Sequence, residues 1–465
     1  MKNQKVFVMG HKNPDTDSIC SAIAYADIKN RTTQTKRYIP RRAGQINEET
    51  QYVLNRFGVQ PPAYLGNIGT QVKDMDIRPK PDADRTMSLK NAWDMMQNKG
   101  IVTLPICNSE DELEGIVTIG DIADVYMDTK DSYLLSNART QYNKIRDTLD
   151  GEIVEGNGHG YFTKGKILIG TADPEVMKNY IEENDMVILG NREEDQLKAI
   201  ELNVSCIIVG MSIQVSEKVI KKAQERQIII ISSPYDTYTI ARMINQSIPV
   251  NYVMKKDNLV TFNTEDFTDD IQDVMIKHRH RAFPVINKRG KCVGTISRRN
   301  FLDMHKKQVI LVDHNEKDQA VDNIEKAEIL EIIDHHKLGS LETMKPINFR
   351  NEPVGCTATI LYRIYDEQRL EIPPKIAGLL CAAIISDTLM FRSPTCTQQD
   401  KIAASALALI ADIKIEDFAR EMFKAGSNLK DKAPEEIFYQ DYKKFIAEGN
   451  VAFGVGQISS LDEEE

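Results

Sequence analysis

Cysteine is sparse and scattered: seven among 465 residues, at positions 20, 107, 206, 292, 356, 381 and 396, with no CxxC pair. Most lie in apolar runs, which argues against a disulfide framework or a thiolate zinc site and fits reduced, buried thiols in a cytosolic chain. Tryptophan occurs once. No uncharged apolar run approaches the roughly 20 residues that a membrane span requires. The first residues run directly into a strand-like segment without a signal-peptide core, so a cytoplasmic protein without a membrane partner is expected. Positive charge is in deficit, with Lys+Arg 59 against Asp+Glu 69 and a net charge of −10. That balance implies no general nucleic-acid surface.

What is present describes a soluble globular chain, 41% hydrophobic and 28% charged, long enough for two to four domains. Near the start, the apolar run Val6 to Met9 reads as a buried parallel strand, and Ser18 to Lys29 has helical spacing. Between them, Gly10-His11-Lys12-Asn13-Pro14-Asp15-Thr16-Asp17 offers one imidazole and two carboxylates within seven residues. A loop between a strand's carboxyl end and a helix is where open α/β sheets gather ligands. Oxygen and imidazole without thiolate suit a hard or borderline dication such as Mn or Co. A capped turn with Asp15 or Asp17 as N-cap and an idle His11 reads the same residues equally well. A second strand over Lys36 to Pro40 and a helix over Glu48 to Phe57 follow.

Residues 72 to 128 and 250 to 306 form an internal repeat. Thr103-Leu104-Pro105-Ile106 parallels Ala282-Phe283-Pro284-Val285, and Gly115 to Ile122 parallels Gly294 to Phe301 in a pattern G-h-h-T/S-x-x-D/N-h. This pattern resembles the CBS module, whose tandem pairs bind adenine nucleotides. Thr118 and Ser297 would meet phosphate, with Arg298 and Arg299 flanking the serine. Asp121 and Asn300 would take ribose hydroxyls at a helix start. An N-capped turn in a purely structural module is the alternative.

Between the copies, about 136 to 246, apolar runs at 167–169, 186–189, 206–209 and 228–231 alternate with amphipathic segments, a small α/β domain with a largely parallel sheet. It resembles the DRTGG domain, whose signature positions read here as Gly190-Asn191-Arg192-Glu193 and Val209-Gly210-Met211. His159 reads as a loop histidine, and the basic run 277–281 as a charged helix end.

From Gln308 the opening style resumes. Val309 to Val312 ends in Asp313-His314-Asn315; Ile329 to Ile333 ends in Asp334-His335-His336; Gly355-Cys356-Thr357 opens an apolar helix; Leu379 to Ile385 leads into Ser386-Asp387-Thr388. In a parallel sheet such ends lie side by side. His11, Asp15, Asp17, Asp313, His335 and Asp387 then make six hard or borderline ligands, enough for two ions if one carboxylate bridges, and Asp313 is the natural bridge. Metal pairs about 3.5–4 Å apart serve hydrolysis of phosphate compounds.

The stretches GHKNPDTDSICSAIAYA, VDHNE, IDHHK, EPVGCTATI, AAIISDTLMFRSPTCT and KAGSNL closely resemble the DHH superfamily. More narrowly, they resemble its manganese- or cobalt-dependent family II inorganic pyrophosphatases, in the subgroup with inserted CBS and DRTGG regions. The resemblance implies an α/β fold in which a parallel-sheet catalytic domain (1–68 and 308–446) is interrupted by CBS copies (69–130 and 248–307) enclosing the DRTGG-like domain (131–247). One ion would sit on His11, Asp15 and Asp313, the other on Asp17, Asp313, His335 and Asp387, with a bridging hydroxide as nucleophile and Mg2+ arriving with pyrophosphate. Asp313 and His336 would be the catalytic pair, His336 as proton donor to the departing phosphate; orienting Asp334 is its alternative role. Lys443 would contact substrate. AMP, ADP, ATP or a diadenosine polyphosphate would regulate activity from the CBS pair, and a homodimer is expected. Residues 447–465 read as a hinge toward a C-terminal lobe whose Ser-Arg-Lys-Lys stretch is not found, so the resemblance implies metal binding with poor turnover. The competing classes are a DHH phosphodiesterase acting on a nucleotide, which would normally carry a GGGH-type domain, and a non-catalytic nucleotide sensor.

Overall fold

The computed structural model describes residues 4–127, 131–302, 304–427, Pro434, Phe438 and the strand segments 442–447 and 451–456. It divides into two compact units, residues 1–70 with 305–465, and residues 71–304.

The first unit is built on a six-stranded sheet. Its strands are β1 (Val6–Met9), β2 (Tyr38–Arg42), β3 (Ala63–Tyr64), β4 (Gln308–Val312), β5 (Glu328–Asp334) and β6 (Asn348–Asn351). They lie in the order β6-β5-β4-β1-β2-β3 and every pairing is parallel. β1 and β4 read as nearly unbroken apolar runs because helices and loops cover both faces of a parallel sheet. The register sets Met9 beside Leu311 and Val312 beside Ile333, so the chain leaves β1, β4 and β5 at one edge.

Among the described residues, this unit's α-helices include α1 (Thr16–Thr32), α2 (Glu48–Arg56), α3 (Thr357–Glu367), α4 (Pro374–Asp387), α5 (Gln398–Ala411) and α6 (Ile415–Gly426). α1 begins two residues before the expected start, because Asp15 caps it, and ends three after the expected end. From Ala377 to Ile385, α4 is apolar on all sides and buried, packed with α1 and α5 in the main core of the unit. The last turn of α4 therefore delivers Asp387 from within the core. Tyr442–Ala447 and Val451–Gly456 pair as an antiparallel ladder inside the stretch that includes the expected hinge.

The insertion leaves and rejoins this unit at neighbouring points. Lys307 Nζ donates to Gly69 O at 2.9 Å, and Ile68 N donates to Asp322 O at 3.0 Å.

In the second unit each repeat contributes a hairpin, Thr103–Cys107 with Leu113–Thr118 and Phe283–Ile286 with Cys292–Ile296. The copies interlock: Arg78–Pro79 of the first joins the sheet of the second, and Glu112 bridges Lys291. The intervening domain has four parallel strands, Ile167–Ile169, Met186–Leu189, Cys206–Val209 and Ile229–Ser232, closed by antiparallel Glu152–Glu155. No described helix is long and apolar enough to cross a membrane.

Candidate metal centre

The loop after β1 is held tightly against α1. A Cβ on Gly10 would stand 1.8 Å from Ser18 Oγ and 2.8 Å from Ser18 O, so only glycine passes there. Asp15 Oδ1 takes the amide of Ser18 at 2.9 Å as the helix N-cap, leaving Oδ2 3.4 Å from His11 Nε2. Capping and cluster membership are thus two oxygens of one carboxylate. Asp17, fully buried in the first turn, accepts from Ser21 Oγ at 2.7 Å and reaches the start of α3, where Thr357 N and Ala358 N donate at 2.7 and 3.1 Å.

Asp313 follows β4 in a left-handed backbone conformation, φ +64°, with its amide held by Ile333 O at 2.9 Å. A non-glycine residue in that region signals a site where surrounding structure over-determines the backbone. Its carboxylate is the centre of the cluster. Oδ2 lies 3.4 Å from His11 Nε2, and Oδ1 lies 3.4 Å from His335 Nε2 and 3.2 Å from Thr357 Oγ1. His335 Nε2 is also 3.8 Å from Asp387 Oδ2, while its Nδ1 is held 3.1 Å from Val354 O.

The ligand atoms of His11, Asp15 and Asp313 lie within 4.8 Å of one another, and so do those of Asp17, Asp313, His335 and Asp387. All six residues named from the sequence are therefore brought together, in two groups sharing Asp313. Asp313, His335 and His336 form a third, overlapping group.

The electrostatics call for positive charge. Burial and the carboxylate of Asp313 push Asp17 up to about 7, and burial with Asp17, Asp15 and Asp313 as neighbours raises Asp387 well above the carboxylate range. Burial works against protonation of both imidazoles, yet Asp15 and Asp313 drive His11 up to about 10, and Asp313 and Asp17 drive His335 up to about 9. Asp313, although buried, is held far below the usual range by those two imidazoles. Four carboxylates competing for two imidazoles and the protons between them are what divalent cations replace. The fit to such cations is direct: Asp313 Oδ2 is buried and makes no hydrogen bond.

His336 is half-exposed at the rim, its Nδ1 2.9 Å from Asp334 Oδ1, which places it against the partner considered in its alternative role. Asp334 also takes the amides of His335 and His336 and the side chain of Asn315. Sequence reasoning gave Asp334 no more than this supporting place and passed over Asn315. It also missed Asp400, although T-x-x-D at Thr397 to Asp400 is a capping-box signature. Asp400 holds Gly355 N at 2.9 Å and Thr359 Oγ1 at 2.6 Å and so fixes the start of α3.

The nucleotide candidates lie in the second unit. Asp121 Oδ2 accepts from Thr118 N and Oγ1 at 2.7 and 2.6 Å, and Oδ1 meets Lys255 Nζ at 3.0 Å. Asn300 Oδ1 likewise accepts from Ser297 N and Oγ at 2.7 and 2.8 Å. Both pairs form the capped turn that the sequence also allowed. Arg298 is occupied differently from expectation: its guanidinium donates to the carbonyls of Met275, His278 and His280, closing the carboxyl end of helix Thr268–Lys277. His159 is an exposed loop residue whose ring lies 3.4 Å from the Asn143 amide. Lys443 falls in the strand Tyr442–Ala447, but its side chain lies outside the described residues, as do residues 457–465 of the expected hinge.

The sequence signature described as the DHH family, N-terminal domain, matches residues 5–384, and the DHHA2 domain matches 420–465, a range that takes in Lys443 and the expected hinge. The chain is 43% identical over 457 residues to the cobalt-dependent inorganic pyrophosphatase of Clostridium perfringens (strain 13 / Type A), covering 98% of this chain and 83% of that protein. It is 35% identical over 460 residues to a probable manganese-dependent inorganic pyrophosphatase of Thermotoga maritima, covering 99% of this chain and 83% of that one. The solved CBS and DRTGG domains of the regulatory region of Clostridium perfringens pyrophosphatase, complexed with the activator diadenosine tetraphosphate, match at 34% identity and a TM-score of 0.47, over 49% of this chain and 100% of that one. The chain belongs to the DHH family, within its manganese- and cobalt-dependent inorganic pyrophosphatases.

Proposed function

We propose that this chain hydrolyses inorganic pyrophosphate to two orthophosphates at a site holding two Mn2+ or Co2+ ions, and that adenine nucleotides bound by the inserted CBS pair regulate it. The observation that carries the reading is Asp313, which is shared by both ligand groups and keeps a buried oxygen without a hydrogen bond.

His11, Asp15 and Asp313 would hold one ion, and Asp17, Asp313, His335 and Asp387 the other. When bound, such a pair neutralises phosphate charge and makes water nucleophilic at neutral pH. The remaining work belongs to the chain. α3 aims its first amides at Asp17 and orients its carboxylate. His336, tethered through Nδ1 to Asp334, keeps Nε2 for the departing phosphate and acts as its general acid. The Asp334 carboxylate raises the pKa of His336, which favours the protonated, donating form at neutral pH. The relatives' names supply the substrate and metals, and Mg2+ would accompany pyrophosphate. Thr118, Asp121, Ser297 and Asn300 are the nucleotide-facing candidates, and a homodimer is the assembly expected of the CBS pair.

The test is orthophosphate release from pyrophosphate by the Mn-loaded chain with Mg2+ present, alongside a dinucleotide. Release from pyrophosphate alone, abolished in Asp313→Ala, supports the reading. Release from the dinucleotide instead overturns it.

A further inference from the structure

We infer that Glu49 is a positioning residue for the metal pair, a strut that fixes the spacing between the loop of Asp15 and Asp17 and the helix end of Asp387. This assignment rests on the two-cation reading above. Glu49 stands in the first turn of α2, on neither of the elements that carry those ligands. Its Oε1 accepts from Thr16 Oγ1 at 2.7 Å and from Ser386 Oγ at 2.5 Å. Thr16 sits between Asp15 and Asp17, and Ser386 immediately precedes Asp387. One carboxylate oxygen thus joins two ligand-bearing segments that are 370 positions apart.

The bonding fixes direction as well as distance. Thr16 has one hydroxyl proton, which it gives to Glu49, so its 3.0 Å contact with Thr50 Oγ1 is one in which Thr50 donates. The chain Thr50 to Thr16 to Glu49, with Ser386 joining from the other side, leaves none of these hydroxyls free to rotate. Among the described residues Glu49 has no cationic partner within an ion pair, so these two hydroxyls are its side-chain compensation for partial burial. The end of α6 closes the other side: a Cβ on Gly426 would stand 3.0 Å from Glu49 Cβ and 3.4 Å from its Oε2. Groups that orient metal ligands in this way are commonly worth about 10–100-fold in metal affinity.

The experiment is calorimetric titration of the full chain with MnCl2 alone, for the parent, Glu49→Ala, Glu49→Gln and Ser386→Ala, with each protein's thermal midpoint recorded before metal is added. Glu49→Ala is expected to weaken at least one Mn2+ site by about tenfold or more. Glu49→Gln keeps an oxygen acceptor and is expected to recover most of that loss, which a merely space-filling role would not require. If Glu49→Ala does not fold, Ser386→Ala decides, with weakened Mn2+ binding expected. Two Mn2+ ions bound by the parent and with parental affinity by the folded Ala variants overturn the Glu49 assignment alone. Fewer than two ions bound by the parent overturn the two-cation reading, and the assignment falls with it.

Discussion

Asp17 and Thr357 are 340 positions apart and joined by a 2.7 Å hydrogen bond from the Thr357 amide to Asp17 Oδ2. Ala358 N adds a second bond at 3.1 Å, to Oδ1, so the positive end of α3 rests on a carboxylate of the cluster. Oδ1 also accepts from Ser21 Oγ, so both oxygens are oriented and Oδ2, with one donor, keeps a lone pair for a cation. Asp17→Asn removes the charge and turns one oxygen into a donor facing an amide. The variant is expected to bind one Mn2+ where the parent binds two, as read by elemental analysis after desalting. Two retained ions would show that Asp17 is a helix partner and not a ligand.

The proposed function divides the work between the adjacent histidines, and substitution separates them. His335 Nε2 faces Asp313 and Asp387, whereas His336 sits at the rim on Asp334. His335→Gln is expected to lose an ion. His336→Gln is expected to keep both ions and to lose about 10²-fold or more in kcat for pyrophosphate, the usual scale of a general acid. Equal metal loss in the two variants would contradict the division.

Asp400 belongs to none of the ligand groups, yet it is fully buried and takes four hydrogens, from Gly355 N, Thr359 Oγ1, Thr397 N and Thr397 Oγ1. Asp400→Ala leaves these donors without their acceptor beside the start of α3. A loss of at least about 2 kcal/mol in urea unfolding is expected, since each buried donor left unpaired costs about 1–3 kcal/mol. A loss below 0.5 kcal/mol, the range of an ordinary surface change, would contradict the role given to Asp400.

In the insertion, Asp121 and Arg298 are expected to behave oppositely. Asp121→Ala removes a carboxylate that already gathers Thr118 and Lys255 at a turn, and it is expected to weaken AMP binding by about tenfold, measured by calorimetry. Arg298→Ala strips the carboxyl end of helix Thr268–Lys277 of its donor, and it is expected to lower the thermal midpoint more than the AMP affinity. The reverse ranking would return Arg298 to the phosphate.

The candidate metal ligands were legible because each is an acid or imidazole near the end of a strongly apolar segment, and a parallel sheet collects such ends at one edge. Helix α4 was read as an apolar run without a settled type, because a segment buried on all sides carries no periodicity to separate helix from strand. Glu49 was illegible for a different reason: its partners lie 33 and 337 positions away, and nothing local to α2 announces them. The carbonyl contacts of Arg298 were illegible because Met275, His278 and His280 lie 18 to 23 positions away, and unsatisfied carbonyls at a helix terminus compete for guanidinium. The capped turns at Thr118 and Ser297 were legible as turns from the T/S-x-x-D/N spacing alone.

The central claim is that Asp313 is shared by two metal ions, and the number of Mn2+ ions held by the purified chain and by Asp313→Ala tests it most directly. The account predicts two ions for the parent and none held tightly by the variant, because both ligand groups lose a member at once. One ion lost and one kept with parental affinity would place Asp313 in a single site and contradict the shared-carboxylate account.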